Sequence, residues 1–243
     1  MAYQIKDEVI ADITRVALDG FDTGVSPLRM LEQAWGNEAF SMHCPEHHYL
    51  MPAVLLSAAR RVKGDCRELL ERDLSAAAER ARNVLPGFCG WYGACGAAVG
   101  SGIFLSLLTD TSPYSEETWG KVNQLTSECL RDIAALGGPR CCKRVCFTAL
   151  DTTAAFMRTH FGLDIGGWPK IRCAYHSRNA ECKGVQCPYH GEEAAGADEA
   201  HPDSAFRRTG TCGVRMPTQG DGSGIQDGAA DVAHKRGEPR KNG

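Results

Sequence analysis

Gly137-Gly138-Pro139-Arg140-Cys141-Cys142-Lys143-Arg144 stops one helix and starts another. Glycine favours the left-handed end of a helix and proline cannot extend one, so Gly-Gly-Pro closes the pattern before it. Beyond the doublet, Cys142, Val145, Cys146, Ala149, Leu150, Thr153, Ala154, Met157 and Phe161 recur at helical spacing, which predicts a helix from Cys141 to His160. Its register turns Cys142 towards the core and Cys141 about 100° away. Neighbouring cysteines rarely satisfy disulfide geometry with each other. A helix N-terminus flanked by Arg140, Lys143 and Arg144 lowers thiol pKa, so the doublet reads as two acidified thiols.

Upstream, the same periodicity predicts further helices. Ile5, Val9, Ile13, Val16 and Ala17 mark one over Tyr3 to Leu18 that ends at Gly20. Ser26-Pro27 is an N-cap followed by proline at the first helical position, opening a helix to Trp35. Met51, Val54, Leu55, Ala58, Ala59 and Val62 form a core stripe with Pro52 near the helix start, and Arg67 to Asn83 forms another helix. The small residues from Phe88 to Gly102 predict a central helix against which other backbones pack. Ser112-Pro113 opens a helix whose Trp119, Val122, Thr126, Cys129 and Ile133 share a face. The fold class is therefore all-α: a compact multi-helix bundle over residues 1–165, a cysteine-rich loop packed on it over 166–190, and a disordered tail over 191–243. No strand-like runs alternate with the helices, which excludes a parallel α/β fold.

A net charge of −3 gives no electrostatic footprint for nucleic acid. The chain has 12 cysteines in 243 residues, about 5%, below the roughly 8–10% of short secreted disulfide scaffolds. No basic and then apolar leader opens the chain. The longest apolar run, Ala94 to Leu108, is short of the roughly 20 residues of a membrane helix. The expectation is a soluble, cytoplasmic protein whose cysteines bind metal or do redox chemistry.

Thiols recur at loop-to-helix junctions: Cys44, Cys89 with Cys95, Cys141 with Cys142, Cys173, and Cys182 with Cys187. Thiolates select zinc, cuprous copper or iron–sulfur clusters, and tethered pairs reduce the entropy lost on binding. Only Cys182 and Cys187 have zinc-finger-like spacing. The unequal spacings and the adjacent pair favour an iron–sulfur cluster over zinc. Cys95, Cys141 and Cys142 are its expected centre, joined by Cys44, Cys89, Cys173, Cys182 and Cys187, with His47 or His48 as outer ligand or proton carrier. Three other readings compete. Buried cysteines also serve as small hydrophobes, the expectation for Cys129 and Cys146. A thiol enzyme would use Cys141 or Cys142 as nucleophile and His48 as base. In a zinc-stabilised interaction module, the late loop would only pin the helices. Arg140, Lys143 and Arg144 would either hold an anionic substrate or form a solvated cationic turn. His43, His176 and His190 read as exposed loop residues. Packing explains the glycines from Gly90 to Gly102 better than a phosphate loop does, because no strand precedes them and no Lys-Ser/Thr follows.

Four blocks together resemble an uncharacterised cysteine-rich domain family of anaerobic bacteria and methanogenic archaea. They are Cys44-Pro-Glu-His-His-Tyr-Leu-Met-Pro, Gly90-Trp-Tyr-Gly-Ala-Cys-Gly-Ala-Ala-Val-Gly, Gly137-Gly-Pro-Arg-Cys-Cys-Lys-Arg and Asn179-Ala-Glu-Cys-Lys-Gly-Val-Gln-Cys-Pro-Tyr, within about residues 40 to 190. The family is similar to others found beside or fused to radical-SAM enzymes and methyltransferases. The resemblance therefore implies a redox or methyltransferase-type protein partner and a role in anaerobic metabolism. A looser likeness is to the paired-cysteine modules of heterodisulfide reductases, which hold an unusual iron–sulfur cluster. This chain departs from them in having no glycine after Cys142 and no two-residue-spaced pair among Cys173, Cys182 and Cys187.

Overall fold

The computed structural model describes residues 5–191, which form helices and loops with no β-strand among the described residues. The predicted tail, Cys212 included, lies outside the described residues beyond Gly191. In chain order the helices are α1 (Asp7–Thr23), α2 (Pro27–Trp35), α3 (His47–Val62), α4 (Arg67–Arg82), the single turn α5 (Phe88–Trp91), α6 (Gly96–Leu108), α7 (Thr118–Leu136) and α8 (Cys142–Phe161). None is long and apolar enough to cross a membrane.

Helix α3 is the axis of the bundle. Every residue from Tyr49 to Arg60 is buried, and α1, α2, α4, α6 and α8 all pack on it. A helix surrounded this way has no polar face, which is why its apolar residues outnumber the stripe read from periodicity. The glycine-rich segment does not form one helix. Phe88–Trp91 makes a turn of its own, and α6 starts only at Gly96, with Cys95 as its N-cap.

Gly20 does not end α1. The helix runs on to a left-handed Gly24 (φ 81°), and Gly20 makes room for a neighbour. A Cβ there would stand 2.2 Å from the sulfur of Met30. Ser26 caps α2 as expected, accepting the Arg29 N–H, with Pro27 at the first position. Helix α7 begins at Thr118, later than Ser112-Pro113 predicts, because Ser112 and Ser115 bond each other in a separate turn. Trp119 is then left half-exposed, and Leu125 with Cys129 faces the core instead.

An ion pair absent from any apolar pattern ties three of these helices together. Buried Arg60 of α3 donates to Asp73 of α4 (Nε to Oδ2, 2.8 Å), to Asp65 (3.0 Å) and to the Leu107 carbonyl of α6 (3.2 Å). Asp73 is 1% exposed. Removing one member of such a pair leaves a buried charge, so Asp73→Leu is expected to destabilise the fold by about 3–5 kcal/mol. Urea unfolding will show this as a lower midpoint at unchanged slope.

Candidate functional site

The predicted thiols gather at the start of α8, and they do so as two groups rather than one. Cys141 is the N-cap of α8, with an extended backbone (φ −143°, ψ 110°), whereas Cys142 is its first helical residue. That change of backbone between neighbours sends the two side chains apart. Cys141 is the buried member and Cys142 the half-buried one, the reverse of what helical register alone predicts.

Cys141 lines a cavity with Cys173, Cys182 and Cys187, closed in by Phe147, Tyr175 and Tyr189. The late loop carrying these three cysteines is docked on α7 and α8 by its own polar groups. Trp168 Nε1 donates to Asp151 (2.7 Å), Lys183 Nζ to the Leu136 carbonyl at the end of α7 (2.7 Å), and Tyr189 to Thr148 (3.3 Å). Cys173 N–H bonds the Tyr189 carbonyl (2.7 Å), holding the first cysteine beside the end of the loop. Three of the sulfurs accept N–H groups: Cys141 from Arg144 (3.5 Å) and the Asn179 amide (3.4 Å), Cys173 from Tyr175 (3.4 Å), and Cys182 from Gly184 (3.4 Å). Donors aimed at sulfur favour the thiolate form and orient a ligand. Burial pushes the Cys173 thiol up, against the lowering effect of the Tyr175 N–H.

The second group comprises Cys44, Cys95 and Cys142. The Cys44 N–H and the charge on Cys95 both act on the Cys142 thiol, the first lowering its pKa and the second raising it. Cys95 is the N-cap of α6, and burial pushes its thiol up against the lowering effect of the Ala97 and Ala98 N–H groups in the first turn. Cys89 is exposed on α5, close enough to Cys95 to act on its charge but outside the group. Cys129 and Cys146 are buried in the core, as expected of small hydrophobes. The acidified doublet does not hold at Cys142. Burial pushes that thiol up to about 11, against the lowering effect of Arg140 and the Cys44 N–H. A helix terminus contributes only about 1 kcal/mol and is outweighed. Burial lifts Cys44 still further, with Glu46 adding to it.

His47 is buried and His48 half-buried. The His48 ring lies over Gly96, where a Cβ would stand 2.0 Å from it, and Nδ1 is bonded to the Val84 carbonyl (2.7 Å). No hydrogen bond joins His48 to Cys141 or Cys142 among the described contacts. The thiol–imidazole contact belongs to its neighbour: His47 Nδ1 lies 3.3 Å from Cys44 sulfur and 2.9 Å from the Cys44 carbonyl. Its Nε2 is 3.1 Å from Nζ of Lys143. With the ammonium donating to Nε2, the ring proton sits on Nδ1 and is shared by Cys44. Burial and then Lys143 hold the His47 pKa well below its usual value, so the ring is neutral.

Lys143 and Arg144 do not form a solvated turn. Arg144 folds back to donate to the Gly137 carbonyl (2.9 Å) and to that of Pro139, fixing the turn before the doublet. Lys143 is 2% exposed, its ammonium 4.5 Å from the Trp35 ring centre, 4.9 Å from Phe40 and 5.5 Å from Tyr175. Burial brings its pKa down to about 8. Sequence spacing gave no sign of this, because the three rings come from distant segments.

His43 and Asn179 were likewise invisible as partners. Cys142 N–H donates to His43 Nδ1 (3.5 Å), His43 Nε2 donates to Asn179 Oδ1 (3.1 Å), and the Asn179 amide donates to Cys141 sulfur. One imidazole and one amide thus pin the late loop to both members of the doublet. Among the described residues, no three Cys, His, Asp or Glu groups stand close enough to hold a single metal ion as placed.

An all-helical protein with a cysteine-bearing loop folded over the start of its last helix is the class these features define. The chain belongs to the family of unknown function DUF5714, whose family model matches residues 17–190, from within α1 to the last residues of the cavity. No curated protein and no solved structure matches it.

Asn179→Ala removes the amide between loop and doublet. It is expected to speed alkylation of Cys141 by iodoacetamide, followed by peptide mapping, and to cost about 1–2 kcal/mol of stability.

Proposed function

We propose that this chain is a metal–thiolate protein whose centre is held by Cys141, Cys173, Cys182 and Cys187. We take that centre to be an iron–sulfur cluster rather than zinc. The observation that carries this reading is that four cysteines from two segments line one cavity, with N–H groups directed at three of the sulfurs. Such donors are the usual outer support of metal-bound thiolates. Tetrahedral zinc at about 2.3 Å from each sulfur needs all four within about 4 Å of one another. The thiols surround a space rather than converging on one ion, an arrangement that suits the wider body of a cluster. Clusters of this kind carry electrons, with potentials set by burial and by hydrogen bonds to sulfur.

The role that follows is electron transfer or thiol-based redox chemistry, handed to a protein partner of redox or methyltransferase type. The setting is the reducing cytoplasm of anaerobic bacteria and archaea, where free thiols persist. The rival thiol-enzyme reading gains nothing from His48, whose Nδ1 serves the Val84 carbonyl. Burial also keeps the Cys142 thiol protonated near neutral pH.

Protein purified without oxygen is expected to contain iron and inorganic sulfide in equal amounts and to be coloured. Cys182→Ser should remove both while leaving helical circular dichroism in place. Zinc without sulfide would instead support a structural module. A colourless protein with neither metal, and with folding unchanged by chelators, would overturn the proposal.

A further inference from the structure

Cations border the four-cysteine cavity and acids do not. Arg144 and Lys183 both line it, and no Asp or Glu does among the described residues. Arg144 is 4% exposed, so its guanidinium is a buried charge. Its two hydrogen bonds leave from Nη2 and end on main-chain carbonyls, those of Gly137 (2.9 Å) and Pro139. Its Nε–H is buried with no acceptor. Lys183 likewise donates to a neutral group, the Leu136 carbonyl (2.7 Å). None of the ion pairs among the described residues includes either cation. Arginine stays protonated in proteins, and a buried charge with no counter-charge is costly. The other polar groups of the cavity act with the same sign. N–H groups of Arg144, Tyr175, Gly184 and the Asn179 amide are directed at the sulfurs of Cys141, Cys173 and Cys182.

We propose that this cavity is an anion site in which Arg144, helped by Lys183, balances the negative charge of the occupant. On the reading given above, that occupant is the loop-cysteine centre. Four thiolates around a dicationic core leave two negative charges, which the guanidinium and the ammonium match. The identity of the occupant rests on the metal–thiolate reading; the sign of the site does not. Arg144 is then a positioning residue that acts through its field on the sulfurs and ligates nothing. Without it the centre is more anionic and harder to reduce, because cluster potentials follow net charge. Arg144 also braces the turn before the doublet. Arg144→Lys separates the two roles, since lysine keeps the charge and loses the planar fork.

The test begins with the metal content of the full chain purified without oxygen. If an iron–sulfur centre is present, a dye-mediated redox titration compares wild type, Arg144→Gln and Arg144→Lys. At a fixed potential the ratio of reduced to oxidised centre should fall about tenfold in Arg144→Gln, the effect of one nearby unit charge at an intermediate dielectric. It should return towards wild type in Arg144→Lys. If no such centre is present, the cluster reading fails by itself, and the thiols report on the anion site after chelation of any zinc. The readout is then the rate of alkylation by anionic iodoacetate relative to neutral iodoacetamide. Both reagents attack the same thiolate, so their ratio measures the local field rather than thiol acidity. At Cys182 and Cys187 the ratio should fall about tenfold in Arg144→Gln, with no change at exposed Cys89. Equal potentials, or equal ratios at Cys182 and Cys187, in wild type and Arg144→Gln overturn the proposal. Metal lost from folded Arg144→Gln but kept in Arg144→Lys supports it; metal lost equally from both marks a structural role and overturns it. If Arg144→Gln loses its helical signal, Lys183→Met is measured in its place and decides by the same outcomes.

Discussion

The backbone of α6 lies against the first turns of α3, and the arrangement of the thiols depends on that contact. Pro52 lacks the N–H that would bond the His48 carbonyl four residues earlier, and Gly100 approaches that gap. A Cβ on Gly100 would stand 3.0 Å from Pro52 Cδ and 3.1 Å from the His48 carbonyl oxygen. Gly96 leaves the space that the His48 ring fills. Each glycine within a helix costs about 1 kcal/mol relative to alanine, and the close packing on fully buried α3 offsets it. The contact sets the N-terminus of α6 beside that of α3. Cys95 and Cys44 therefore reach the same place as the doublet.

Desolvation, more than helix polarity, sets the protonation of this end of the bundle. Helix starts and nearby cations both favour thiolates, yet burial raises Cys44, Cys95 and Cys142 above the ordinary thiol value. The same burial lowers Lys143. Burial thus favours protonated thiols at Cys44, Cys95 and Cys142, a neutral His47 ring and a weakened Lys143 ammonium.

How far the fold could be read from sequence follows the range of the interactions. The α8 stripe is legible because Ala149, Leu150, Thr153 and Met157 repeat at the period of the helix that buries them. Ser26-Pro27 is legible because a cap acts within three residues. Gly20 was misread as a stop because its partner, Met30, sits on another helix. Asp73 left no mark because its reason is Arg60, and Lys143 left none because its reason is Trp35, Phe40 and Tyr175. The cysteines themselves were found by residue type. Their division into two groups was not, since it depends on the backbone angles of Cys141 and on where the late loop docks.

That division gives the doublet its particular property. An N-cap residue and the first helical residue after it project in different directions, so a single peptide unit joins the loop thiols to those of α3 and α6. Arg144 braces the turn before it, and His43 with Asn179 braces both sides. A ligand drawing Cys141 towards the loop pulls on the same peptide that positions Cys142, and the Lys143 ammonium lies within the field of both sulfurs. At an effective dielectric near 20, unit charges several ångströms apart still interact by about 2 kcal/mol, enough to change an equilibrium by more than tenfold. Charge added on one side of the doublet is therefore felt on the other. Two thiols separated by ordinary loop residues would lack that rigid link.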